Sequence, residues 1–292
     1  MEIRNVQRTG NMHYVYLPTL WCKKYDISSK SKVGLETMND GSLNISSFIV
    51  KRQDKSVNLN VLEHDQDVLI KLVVACYINP TRSFKIKLGK KINIPEFLNQ
   101  KDITSGLEFV EVDGLNITYE SSMTIDEPDS LLKTLVRKVK NLLVVMINDY
   151  NIKLINKYEE EIDKSKTLIY KATIGALSFH EKSNLKPLEL HYIALISMNL
   201  EEIVDHLRFV DKNEKDFLNN VLGITNKIKL ILENLNEFDY KQVLELTKDI
   251  LRLDNITIKD VRTYDKKRVK EHLVNLSEVL LDWSVTKELE KT

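Results

Sequence analysis

Glycine and proline are scarce in this chain, at 8 and 5 of 292 residues. So few turn-formers exclude a loop-rich or low-complexity protein. Cysteine is nearly absent. Cys22 and Cys76 stand 54 residues apart, which fits no metal-ligand spacing and reads as two thiols in a reducing cytosol. Long apolar runs are missing as well. The longest in the helix-patterned part, residues 142–147, falls far short of the ~20 residues that cross a bilayer. The start, MEIRNVQRTG, has no apolar segment and so no signal-peptide character. Net charge is also absent, because 43 basic residues balance 43 acidic ones. A nucleic-acid contact must then come from a local patch. Catalytic signatures are missing too: there is no nucleophile with a partnered base, no glycine-rich phosphate loop and no H-E-x-x-H. The expectation is a cytoplasmic protein, not an enzyme, with chain enough for two or three domains.

What is present divides into three parts. Residues 1–50 predict a small β-rich unit. Alternation marks strands over residues 2–8 and 13–17, with turn chemistry at Thr9-Gly10-Asn11 between them. Pro18 opens a short helix, and strands over 32–38 and 42–46 flank the hairpin signal Asn39-Asp40-Gly41. Such a unit cannot bury enough apolar surface alone, so a second copy is expected to complete its core. Residues 1–52 hold eight basic and four acidic side chains, a net +4. Arg4 and Arg8 alternate on one strand face and, with Lys23 and Lys24, are the candidate phosphate-backbone contacts.

Residues 51–125 predict an α/β connector. Residues 67–78 are apolar nearly all round, as in a buried helix. SFKIKLG alternates as a strand, and LEFVEV and LNITYES flank Asp113-Gly114 as a hairpin. Residues 126–292 predict helices throughout, opened by Asp126-Glu127-Pro128. Six segments carry apolar residues at three- and four-residue steps, with breaks at 182–186, 211–214, 236–239 and 255–265. Short connections imply antiparallel packing in two three-helix halves, about 126–210 and 211–292. The fold class is therefore α+β.

The helical part carries four Glu-x-x-x-Asp pairs: Glu159/Asp163, Glu201/Asp205, Glu245/Asp249 and Glu278/Asp282. On a helix both carboxylates of a pair share a face, one turn apart. Like charges there cost an isolated helix a few tenths of a kcal/mol, a cost that a bound cation reverses. Composition gives roughly one such pair by chance. Glu159 to Glu245 is 86 residues and Glu201 to Glu278 is 77, which suggests a duplicated unit. The plain alternative is a solvated helix face in a chain that is 29% charged. Eight carboxylates without thiolates suit hard, oxygen-seeking ions. His206 points about 100° away from Asp205 on the helix and is assigned outside the acid set, as are His191 and His180.

Two stretches resemble known families. R-x-V-Q-R-T-G (4–10), Y-V-x-L-P-x-x-W (14–21), K-K-x-x-I (23–27) and D-G-S-L (40–43) look like the AbrB/SpoVT swapped-hairpin domain. That resemblance implies two chains interleaving hairpins into a barrel that binds DNA. The helical part resembles PhoU, the regulator associated with phosphate uptake, chiefly through L-E-E-I-V-D-H at residues 200–206. PhoU-like proteins have two three-helix repeats, each with two acidic motifs that bind metal. All eight acids are then implied ligands, for iron, manganese, magnesium or zinc, with Trp283 standing where the motif has histidine. Together the parts resemble archaeal PhoU-like regulators. The implied function is a homodimeric, DNA-binding regulator of phosphate uptake. The alternative is an adaptor that docks on a phosphate transporter ATPase or a signalling protein without binding DNA.

Overall fold

The computed structural model describes residues 3–37, 41–47, 56–79, 81, 83–99, 109–120, 127–179, 185–235, 237–253, 256, 258 and 260–291. Asn39, Asp40, Lys51, Arg52, residues 106–108, Asp126 and His180 lie outside that set. The chain is mixed α+β and mostly helical. It divides into two compact units, residues 1–53 and 54–292.

In the first unit, β1 (Gln7–Thr9) pairs antiparallel with β2 (Met12–Tyr14), and β3 (Gly34–Thr37) with β4 (Leu43–Ser46); α1 (Thr19–Lys24) lies between the hairpins. Gly10 has φ +61, a left-handed turn position that the first hairpin needs and glycine adopts without strain. The described strands form two separate two-stranded sheets rather than a closed barrel within one chain. No described side chain of residues 3–47 is buried, and Ile3, Met12, Leu20 and Leu35 are all largely exposed.

The second unit begins with a four-stranded sheet. β5 (Ser56–Val61) runs parallel to β6 (Ser83–Leu88) with α2 (Gln66–Ile78) as the crossover. After α3 (Ile94–Asn99), β7 (Phe109–Val112) and β8 (Asn116–Glu120) form a hairpin, giving the order β5-β6-β8-β7. Asp65 caps α2 by accepting from the N–H groups of Asp67 and Val68. The face of α2 that includes Leu69, Val73 and Tyr77 buries against Phe84, Ile86, Ile117 and Tyr119 of the sheet.

Six helices follow: α4 (Pro128–Asn148), α5 (Ile152–Phe179), α6 (Pro187–Leu207), α7 (Lys215–Glu233), α8 (Tyr240–Leu251) and α9 (Val261–Leu289). Local chemistry sets their ends. Proline opens α4 and α6, where its missing N–H costs nothing. Asp239 caps α8 and Asp260 caps α9. Tyr150, at φ 44, makes the tight α4–α5 turn, and its hydroxyl donates to the Val210 carbonyl at 2.5 Å. α4, α5 and α6 pack on one another; α8 packs on both α7 and α9, α4 also packs on α7, and α6 along α9. Trp283 is fully buried, between Tyr192 and Phe238 at ring-centroid distances of 5.7 and 5.5 Å.

The sheet layer touches the bundle through α5. Leu168 packs on the sheet's apolar cluster, and Lys171 Nζ donates to the Tyr77 carbonyl at 2.6 Å. Burial pulls the Lys171 ammonium down to a pKa of about 8, its charge facing the Tyr77 ring at 4.0 Å. The same helix carries Asp163 about two turns away and Glu159 about three.

Candidate metal centre

On α5 the buried stripe includes Ile155, Ile162 and Ile169, seven residues apart. That places Glu159 and Asp163 at the stripe's edge, facing α6. On α6 the stripe Leu200, Ile203, Val204 and Leu207 faces the core and turns Glu201 and Asp205 towards α5. The result is convergence: Asp163, Glu201 and Asp205 each offer an oxygen, and the three oxygens lie within 4.8 Å of one another. Glu159 belongs to the same electrostatic neighbourhood, raising the proton affinity of Asp163.

Among the described residues, two cations pair with these four acids. Lys166 Nζ pairs with Glu201, and Arg208 Nη1 donates to Glu159 at 2.6 Å. Asp163 Oδ1 is buried and has no hydrogen-bond partner among the described residues. Burial first, then the charges of Glu201, Glu159 and Asp205, push the Asp163 carboxyl from 3.8 up to about 7, against a smaller pull from Lys166. Burial also raises Glu201 and Glu159, despite their cationic partners. The cluster therefore has more negative charge than its own cations balance, together with an orphaned buried oxygen. An added cation would relieve both. Oxygen-only ligands of this kind suit magnesium, manganese, calcium or iron.

The second half arranges its acids differently. Glu245 on α8 is exposed and accepts from Lys248 Nζ at 2.7 Å, one turn along the same helix. Asp249 pairs with Lys227 of α7 and with Arg252. Glu278 and Asp282 on α9 are exposed. Among the described residues, no group of three ligand atoms forms from these four acids. Trp283, next to Asp282, turns inward as core.

His206 does not join the acid cluster. It faces α9, where its Nδ1 lies 2.9 Å from Asp265 Oδ1. The 100° offset between neighbouring helical residues accounts for this. His191 contacts Tyr192 at 6.0 Å between ring centroids. Sequence patterning did not single out Lys166, Arg208, Asp265 or His272. For Lys166 and Arg208 a signal existed, since each sits three residues beyond an acid of α5 or α6. Asp265 and His272 meet α6 only through tertiary packing.

In the first unit Arg4, Arg8, Lys23 and Lys24 are all exposed. Arg8 Nε donates to the Gly10 carbonyl at 2.8 Å, which steadies it against its own hairpin turn. Lys23 and Lys24 fill the last turn of α1, where cations complement the helix dipole.

No helix among the described residues is long and apolar enough to cross a membrane. Comparison with protein-family models, curated proteins and solved structures found no match.

Proposed function

We propose that the chain is a metal-responsive regulator whose α5–α6 carboxylate cluster binds a hard divalent cation and whose N-terminal unit binds DNA as a dimer. The observation that carries the metal reading is the unpartnered, buried Asp163 oxygen within a group of three converging carboxylates. Asp163, Glu201 and Asp205 would hold the ion, with Glu159 nearby as a further acid. The ion supplies the positive charge that Lys166 and Arg208 leave short. Its binding would favour the packing of α5 on α6. Because α5 also holds the sheet layer through Lys171, a change there has a physical route out of the bundle.

The dimer reading rests on the apolar exposure of residues 3–47. A unit with no described buried side chain needs a partner surface, and a second copy interleaving its hairpins would provide one. The exposed Arg4, Arg8, Lys23 and Lys24 would then lie in duplicate against a phosphate backbone. The resemblance of the helical part to PhoU, the regulator associated with phosphate uptake, supports genes of phosphate uptake as the target.

An electrophoretic shift series across salt tests the DNA part, run with the intact protein and its Arg4→Ala/Arg8→Ala variant. Salt-sensitive binding that the variant loses while remaining dimeric supports the regulator. Absent or salt-insensitive binding by an intact dimer would overturn it in favour of an adaptor that docks on a transporter or signalling protein.

A further inference from the structure

Beyond the acid cluster, we propose that Glu202, His206 and His272 form a second metal site of different chemistry, across the seam between α6 and α9. It takes a borderline first-row divalent ion, zinc or cobalt, through two imidazoles and one carboxylate. One ligand atom from each residue lies within 4.8 Å of the others. Glu202 and His206 stand one turn apart on α6, so both project from one face. His272 comes from α9, with Nε2 3.7 Å from Glu202 Oε2. The two imidazole rings are nearly parallel, at 16° and 5.9 Å between centroids.

The surroundings are arranged as a metal site requires. Asp265 is 5% exposed and holds His206 Nδ1 at 2.9 Å. A carboxylate on one imidazole nitrogen orients the ring and leaves Nε2 to coordinate. His272 Nε2 already accepts from a cation: Arg268 Nη2 donates to it at 2.9 Å. The lone pair that a metal needs is therefore directed at a positive charge beside Glu202. Arg268 Nε is buried without a hydrogen-bond partner among the described residues, while its Nη1 pairs with Glu271 at 2.7 Å. A metal ion would take the place of the Nη2 contact and leave the guanidinium on Glu271. Three protein ligands leave coordination positions for water or an anion. Since α6 belongs to one three-helix half and α9 to the other, the ion would tie the halves together.

The test uses the full chain carrying Asp163→Asn/Asp205→Asn, so that the acid cluster is silenced and the two sites are read apart. Cobalt(II) is titrated in and its visible absorption recorded, with zinc as competitor. The expected result is about one cobalt per chain with bands of a nitrogen-ligated ion. Glu202→Gln and His272→Gln should each weaken binding by about tenfold or more, and Arg268→Met should tighten it by about tenfold. Glu202 lies at the exposed edge of the seam, so its variant keeps the core intact, and circular-dichroism melts check His272→Gln. No cobalt on the silenced background, or binding that Glu202→Gln leaves unchanged, overturns the proposal and leaves an ion-pair seam. Manganese binding that fails in the unaltered chain while cobalt persists would remove the acid-cluster reading alone.

Discussion

The two helical halves carry the same acidic spacing and treat it in opposite ways. In the first half, Glu201 and Glu159 have side chains 10% and 16% exposed, and Asp163 and Asp205 converge with Glu201. In the second, Glu245 is 67% exposed and bonded to a lysine of its own helix, while Asp249 faces Lys227. Spacing puts two acids on one face of a helix. Burial, and the shortage of local cations, turn that face into a place where a further cation is stabilising. The residue after the last acid shows how the halves diverge. His206 turns to the α6–α9 seam, whereas Trp283 turns into the core, where a hydrophobic anchor is held by Tyr192 and Phe238.

Removing a carboxylate should separate the halves most strongly. Glu201→Met leaves Lys166 without its carboxylate in a partly buried pocket. It should cost about 3 kcal/mol, as the loss of one partner of a buried pair does. Glu245→Met at the exposed site should change stability by under about 0.5 kcal/mol. Urea titration of both variants measures the contrast, and equal costs would erase it.

The next contrast is in pH. Asp163 titrates near 3.8 when unfolded and near 7 when folded. Between those values the unfolded chain has released a proton that the folded chain keeps. Stability contributed by this group therefore falls as pH rises through that window and is level above it. Asp163→Asn removes the penalty, so the metal-free variant should melt about 2 °C above the parent at pH 8, after allowing for solvent screening. Near pH 4 the two should melt together. Asp249→Asn should shift the other way at pH 8, because it breaks pairs with Lys227 and Arg252. The same titration makes metal binding at the first site strengthen as pH rises towards 7, since ions bind the deprotonated carboxylate.

Much of this was legible in the chain. Six helices follow from three- and four-residue apolar steps, and Asp113-Gly114 does make a hairpin, with Gly114 at φ +88. Residues 255–265 look like loop, which predicts a start for the last helix at residue 266. The cap at Asp260, satisfied by Thr263, opens the helix at Val261 instead. β5 is hard to read from sequence although Val57, Leu59 and Val61 alternate, because the intervening Ser56, Asn58 and Asn60 favour turns. α3 was missed as a six-residue helix containing Pro95. The acid pairs were visible by spacing, but convergence depends on how α5 rolls against α6, and neutralisation by Lys227 depends on α7. His272 lies 66 residues from His206, so only packing unites them.

A smaller effect sharpens the electrostatic account. Lys166→Met removes the competing cation from Glu201 and should raise manganese affinity by about tenfold, or about 1.4 kcal/mol. Lys248→Met beside Glu245 should leave it unchanged. Calorimetric titration at pH 8 checks both, and a gain from Lys248→Met would count against an inert second half.

The most direct measurement is manganese(II) titration by calorimetry of the parent chain, of Asp163→Asn/Asp205→Asn and of Asp249→Asn/Asp282→Asn. The account predicts that the first pair of substitutions abolishes manganese binding and that the second leaves stoichiometry and affinity as in the parent. Equal losses in both, or a loss confined to the second pair, would contradict it.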